Sequence, residues 1–213
     1  TNMVTISQPV KVYACPAAPE RPAYTITLNF GTTIGPYTAF AADYSPVAYV
    51  DFTEATVNLG IPYLPNQALL GVMQPDKRTK ITEITDGTSN TILVTELAGK
   101  PTLYLGGFKN SGTQLNIFTG ANNPPGPVGG AGGWGDATSG GSVLMGSNAA
   151  GTTNRGPCLI NCSNDYGLYG FHSGGINAAY CDGSVHFVGA DIAPSIIVAL
   201  ITSNGGEINT NVD

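Results

Sequence analysis

An all-β sandwich of jelly-roll type is the fold this sequence predicts, and three observations predict it. Thr, Val, Ile and Tyr are plentiful, and they suit a pleated, half-buried surface. The apolar residues alternate in short runs separated by Gly, Pro and Asn. Long Lys- and Glu-rich stretches, which helical bundles need on their outer faces, are missing. Only 10% of the 213 residues are charged, against roughly 25% in ordinary soluble domains.

Residues 1–22 read as an extended N-terminal tail ending in a Pro-rich joint, and 23–213 as the sandwich. In the tail Val4 and Ile6 alternate with Thr5 and Ser7. After Pro9, Val10, Val12 and Ala14 alternate with Lys11 and Tyr13, the period of a half-buried strand. Pro16, Pro19 and Pro22 then make a joint that cannot continue a ladder. Strands are expected over 24–30, 47–52, 68–72, 91–96, 103–105, 115–118, 168–171, 176–181 and 185–188. Residues 120–141, rich in Gly, Pro and Asn, read as a long surface loop, with Trp134 as an aromatic that pins it or faces a partner. One helix is expected near the C-terminus. Asp191 is its cap, Pro194 lies in its first turn, and Ile192, Ile196 and Leu200 form its apolar face before Asn204-Gly205.

Several function classes are excluded by composition. A net charge of −6 with eight scattered cations leaves no basic patch for nucleic acid. No apolar run reaches the roughly 18 residues that span a bilayer. With 42% hydrophobic residues and ten Tyr, disorder is not expected. A start at Thr1 reads as a processed or trimmed product.

The chemistry-bearing motifs are few. Residues 130–135 match G-x-G-x-x-G in a run where glycine is common, without the strand, helix and acid of a dinucleotide site. His172 neighbours Ser173, but adjacent strand residues point to opposite faces and there is no G-x-S-x-G elbow. No catalytic residue is therefore expected, and a hydrolase centred on His172 is only a third reading. Cys15, Cys158, Cys162 and Cys181 with His172 and His186 could in principle hold zinc, yet their spacings fit no common zinc motif. No metal and no cofactor are expected. A Cys158–Cys162 disulfide is favoured over zinc if the chain is exported, with free thiols as the alternative; Cys15 and Cys181 read as buried residues. Asn161-Cys162-Ser163 fits the N-glycosylation acceptor pattern. Asp86-Gly87 and Asp182-Gly183 read as tight turns in which glycine supplies a positive φ.

Residues 156–164, then Tyr169-Gly170-Phe171-His172-Ser173-Gly174-Gly175-Ile176-Asn177, then Asp182-Gly183-Ser184-Val185 contain an H-x(9)-D-G motif between His172 and Gly183. This resembles the prepilin-type processing-associated H-x(9)-D-G proteins, a family of unknown function. Val10-Lys11-Val12-Tyr13-Ala14-Cys15-Pro16 is similar to a second block of that family. Residues 84–94 with Glu96 are similar to a third, and 200–207 to its ending. The resemblance implies an exported, cell-surface or extracellular protein related to pilins and pseudopilins, with no enzymatic activity. The leader and long apolar helix usual in such proteins are missing from these 213 residues.

The expected function is a structural subunit of an extracellular bacterial filament. In this reading the tail inserts head-to-tail into neighbouring copies, with Val4, Ile6, Val10, Val12 and Tyr13 at the interface. The partner is then the chain itself, with glycans as a further possibility. A surface-displayed carbohydrate-binding or adhesive module using exposed Tyr and Trp134 is the alternative. His172, Asp182 and Gly183 are expected to brace the last hairpin, Asp182 accepting a hydrogen bond from a backbone amide or from His172.

Overall fold

The computed structural model describes residues 2–20, 23–29, 33–61, 69–115, 132–135 and 142–205. In chain order the elements are α1 (Asn2–Ile6), β1 (Tyr24–Asn29), β2 (Thr33–Ala39), β3 (Tyr44–Ser45), β4 (Val47–Val50), β5 (Ile92–Glu96), β6 (Thr102–Leu105), β7 (Lys109–Gln114), β8 (Ser142–Leu144), β9 (Gly175–Tyr180), β10 (Val185–Gly189) and α2 (Pro194–Ile201). The fold is β-rich, as the alternating runs predict.

The central sheet has the strand order β10-β9-β5-β3 and is antiparallel throughout. Three two-stranded ribbons surround it: β1-β2, β6-β7 and the parallel pair β4-β8. Among the described residues this is not the pair of four-stranded sheets that a jelly roll requires. The cause is the length of the runs. Of the expected strand at 68–72, residues 69–72 are described, and these and 168–171 make only isolated bridges at Leu70, Leu168 and Tyr169, too short to carry a ladder. Most of the expected strand at 115–118 lies outside the described residues, and β7 ends just before it.

One face of the sheet and α2 enclose the core. Ile92, Ile176, Ala178, Tyr180 and Val188 from the strands meet Ile197, Val198, Leu200 and Ile201 from the helix, together with Val47, Val50 and Leu144 of β4 and β8. Each fully buried Leu, Ile or Val contributes roughly 1.5–3 kcal/mol relative to exposure. α2 therefore belongs to the core and is not an appendage. It starts at Pro194, whose missing N–H is harmless in the first turn. Its cap position is Ala193, without a side-chain hydrogen bond, so Asp191 is not the cap expected from the sequence. Burial of the apolar face holds this eight-residue helix where a capping side chain does not.

The N-terminal tail is not extended. Asn2–Ile6 is helical, and Lys11–Tyr13 is a 3₁₀ turn with hydrogen bonds from Tyr13 N to Val10 O and from Ala14 N to Lys11 O. Four alternating positions are too few to fix a period, and Pro9 and Pro16 remove two ladder donors. With no strand paired to them among the described residues, these backbone groups close local turns instead.

Candidate functional site

Although not a strand, this segment has a defined place. Phe40 N donates to Ile6 O (3.2 Å), Asp43 N donates to Tyr13 O (2.7 Å), and the indole Nε1 of Trp134 donates to Gln8 O (2.9 Å). The Trp134 ring stacks on Tyr13 with centroids 6.1 Å apart. Trp134 thus pins the N-terminal arm, and not merely its own loop. Val4 and Val12 point away from the body and are 72% and 77% exposed. Ile6 and Val10 are half-buried and Tyr13 is 41% exposed. Val10 lines a cleft of about 310 Å³ between arm and body, with Cys15, Pro16, Phe40 and Asp43.

Where the arm ends, three distant segments converge. Cys15, completely covered at the end of the arm, places its Sγ 3.4 Å from Nε2 of His172. The same Nε2 lies 3.0 Å from Oε1 of Glu96, the last residue of β5. Glu96 has no exposed surface. Its Oε2 accepts the Asn177 backbone N–H of β9 at 2.8 Å. Gly170 beside it has no room for a side chain, since a Cβ there would run into Oε2 of Glu96. The Tyr44 phenol of β3 faces Cys15 and Glu96. Burial first, and then the neighbouring Cys15 and Glu96, push that phenol well above the usual tyrosine range. Burial also raises the Cys15 thiol, with the Glu96 carboxylate adding to the effect.

Asp43 clamps the arrangement from below. Its Oδ2 accepts the Cys15 backbone N–H (2.8 Å) and its Oδ1 the Gly99 N–H (3.1 Å), while its own carbonyl accepts Leu97 N–H (2.8 Å). One buried carboxylate therefore ties the end of the arm to the turn that follows β5. Among the described residues the acids Asp43, Glu54, Glu96 and Asp165 are buried; the first three accept backbone N–H groups, and Asp165 accepts the Asn154 side-chain amide.

Chemically this is not a nucleophile–base–acid relay. In such a relay the acid binds the ring nitrogen opposite the nucleophile. Here Cys15 and Glu96 both face Nε2 of His172. A buried thiol with a raised pKa is also a poor nucleophile. A thiol, an imidazole and a carboxylate at these distances are instead a donor set for a metal ion.

The other residues singled out from the sequence lie elsewhere. Asp182 does not meet His172. Its Oδ1 accepts the Ser184 N–H (2.9 Å) and hydroxyl (2.7 Å), which hold its carboxyl below the usual range. Short-range bonds within the β9–β10 turn take the place of the long-range one, and Gly183 there has φ +89°. Asp182 N donates to Thr88 O, which joins this turn to the one containing Asp86 and Gly87 (φ +96°). Oδ2 of Asp86 accepts Gly205 N–H at 2.8 Å. His172 is thus a brace to Glu96 and not to the hairpin. Cys158 and Cys162 form a disulfide. The Asn161 side chain bridges Gly175 O and Gly170 N at 3.0 and 2.9 Å.

Lys100 lies one residue beyond Gly99 and is 4% exposed. Burial lowers its pKa to about 8, against 10.5 for a free lysine, with Asp165 acting in the opposite direction. Between these two values the unfolded chain binds more protons, so this residue makes stability rise with pH across that window. Its charging costs about 3 kcal/mol at neutral pH. Denaturant titrations at pH 7.5 and 9.5 should show Lys100→Met losing this upward slope relative to the unaltered chain.

A β-rich domain whose N-terminal arm is clamped over a buried Cys–Glu–His cluster is the class of protein that fold and site define. The chain belongs to the family described as protein of unknown function (DUF1559), whose profile matches residues 1–195. Comparison with curated proteins and with solved structures gives no match.

Proposed function

We propose that the protein is a structural subunit of an extracellular, pilin-like filament, joined head-to-tail by exchange of its N-terminal arm. The observation that carries this reading is how the arm is held. It docks by main-chain bonds at Phe40 and Asp43, by the Trp134 indole and by one aromatic stack. Every copy of the body offers the same groups, and a Pro-rich joint follows directly at Pro16 and Pro19. An arm on such a joint can occupy its own body or a neighbour's with the same contacts, and exchange in one direction builds an open chain. The arm then enters as a helical turn plus main-chain bonds, not as an added strand.

Three further features support the reading. Val4 and Val12 are exposed on the arm, where an inter-subunit contact would cover them. β10, at the edge of the central sheet, exposes Val185 and Phe187, an apolar edge of the kind that soluble monomers avoid. The Cys158–Cys162 disulfide suits an oxidising, extracellular setting. The H-x(9)-D-G resemblance adds the pilin-like character. Trp134, the main aromatic a carbohydrate-binding surface would use, is half-buried and stacks on Tyr13 of the arm.

Electron microscopy of the full chain against one lacking residues 1–14 tests this. The full chain should form fibres as concentration rises, and the shortened chain should remain a folded monomer. Fibres that persist without the arm would contradict the proposal.

A further inference from the structure

We infer that Cys15, Glu96 and His172 form a Zn²⁺ site at the junction of arm and body. The inference rests on the folded chain alone and does not need fibre formation.

Distances come first. One donor atom from each residue lies within 4.8 Å of the other two. The measured separations from Nε2 of His172 are 3.4 Å to Sγ and 3.0 Å to Oε1. Zinc bonds of about 2.0 Å to N and O and 2.3 Å to S, at tetrahedral angles, place ligand atoms about 3.3–3.5 Å apart. The two separations measured from Nε2 are within a few tenths of an ångström of these values, and Sγ lies within 4.8 Å of the Glu96 carboxylate oxygen.

The single ring nitrogen is the second argument. Nε2 carries either one hydrogen or one lone pair, so it can fully satisfy only one of the two groups facing it. A cation among the three atoms meets all of them at once.

Charge and softness select the ion. A thiolate, a carboxylate and a neutral imidazole sum to two negative charges, which a divalent cation cancels in a site where Cys15 and Glu96 are both buried. The Cys15 proton leaves to solvent as sulfur binds. Sulfur with nitrogen favours zinc over the oxygen-seeking calcium and magnesium.

Orientation is already built in. Asn177 N–H holds Oε2 of Glu96, leaving Oε1 toward the imidazole, and Asp43 fixes the Cys15 backbone. Partners of this kind set ligand direction in metal sites. The His172 side chain is 30% exposed, so the cluster is not sealed from solvent. Because Cys15 belongs to the arm while Glu96 and His172 belong to the body, a bound ion would rivet one to the other.

The test adds Zn²⁺ alone to the full-length chain and follows binding by calorimetry, then repeats it with Co²⁺ and records absorption. One ion per chain is expected, and the Co²⁺ form should show a thiolate charge-transfer band with tetrahedral visible bands. Cys15→Ser should remove that band, and His172→Ala should weaken Zn²⁺ binding at least about tenfold. Cys181→Ser and His186→Ala, outside the cluster, should leave both unchanged. Circular dichroism reports whether each variant folds, and the Co²⁺ spectrum of the unaltered chain needs no variant at all. Failure of the unaltered chain to bind one ion, a Co²⁺ spectrum without the thiolate band, or equal binding by folded Cys15→Ser and His172→Ala would overturn the site.

Discussion

Replacing Glu96 by alanine should lower stability by about 3 kcal/mol in metal-free buffer, from a buried donor left without its acceptor at roughly 1–3 kcal/mol and from the hole left behind. Three losses combine. The Asn177 N–H loses the acceptor it holds at 2.8 Å. His172 loses its partner at 3.0 Å. A fully buried side chain leaves a hole at the end of β5. For a domain of this size the midpoint of thermal unfolding should fall by about 10 °C. Glu96→Gln keeps an acceptor for Asn177 and should cost about 1 kcal/mol. Scanning calorimetry on both variants checks the ordering; equal and small effects would show that the carboxylate is not a structural member of the junction.

The second large effect belongs to Asp43. Asp43→Ala leaves the N–H groups of Cys15 and Gly99 without their acceptors, at roughly 1–3 kcal/mol for each buried group. A loss of about 3 kcal/mol is expected. Asp43→Asn should not rescue it, because asparagine has one acceptor oxygen and its NH₂ would face a second donor. The consequence reaches the arm, because the lost carboxylate held the arm's end through the Cys15 N–H, leaving only the backbone bond from residue 43 N to Tyr13 O. Limited trypsin digestion should cut the Asp43→Ala chain after the exposed Lys11 well before the unaltered chain. Equal cleavage rates would mean that the arm is held by other contacts.

Strands were legible at Ile92–Glu96, Gly175–Tyr180 and Val185–Gly189, where alternation between turn signals meets a neighbouring strand. β2 was hidden because Gly35-Pro36 interrupts it and reads as a turn. Its pairing with β1 overrides that local signal. The N-terminal segment failed for the opposite reason: its alternation is present, but among the described residues no strand pairs with it. Sheet order is a long-range property, and a one-dimensional pattern does not carry it.

The candidate site shows the same limit. Cys15, Glu96 and His172 each fall in one of the separate sequence blocks, yet 76 residues separate Glu96 from His172 and 157 separate Cys15 from His172. Zinc reasoning from short spacings could not join them. One signal was present: Glu96 is an acid in a chain poor in charge, flanked by Thr95 and Leu97 at the end of an apolar strand. A carboxylate in that setting is buried with a partner more often than it is solvated. Asp43 carried no comparable signal, because its role lies entirely in which backbone amides fold around it.

Arm exchange is the central claim, and cross-linking across isotope labels tests it most directly. Fibres are grown from equal parts of unlabelled and ¹⁵N-labelled chains with benzoylphenylalanine in place of Tyr13, whose ring lies against Trp134. Irradiation joins each arm to the body that holds it, and mass spectrometry reads the label on both sides. Exchange predicts that about half of the arm–body products carry one labelled and one unlabelled partner. If every product pairs an arm with a body of the same label, each arm stays on its own chain and the proposed assembly is contradicted.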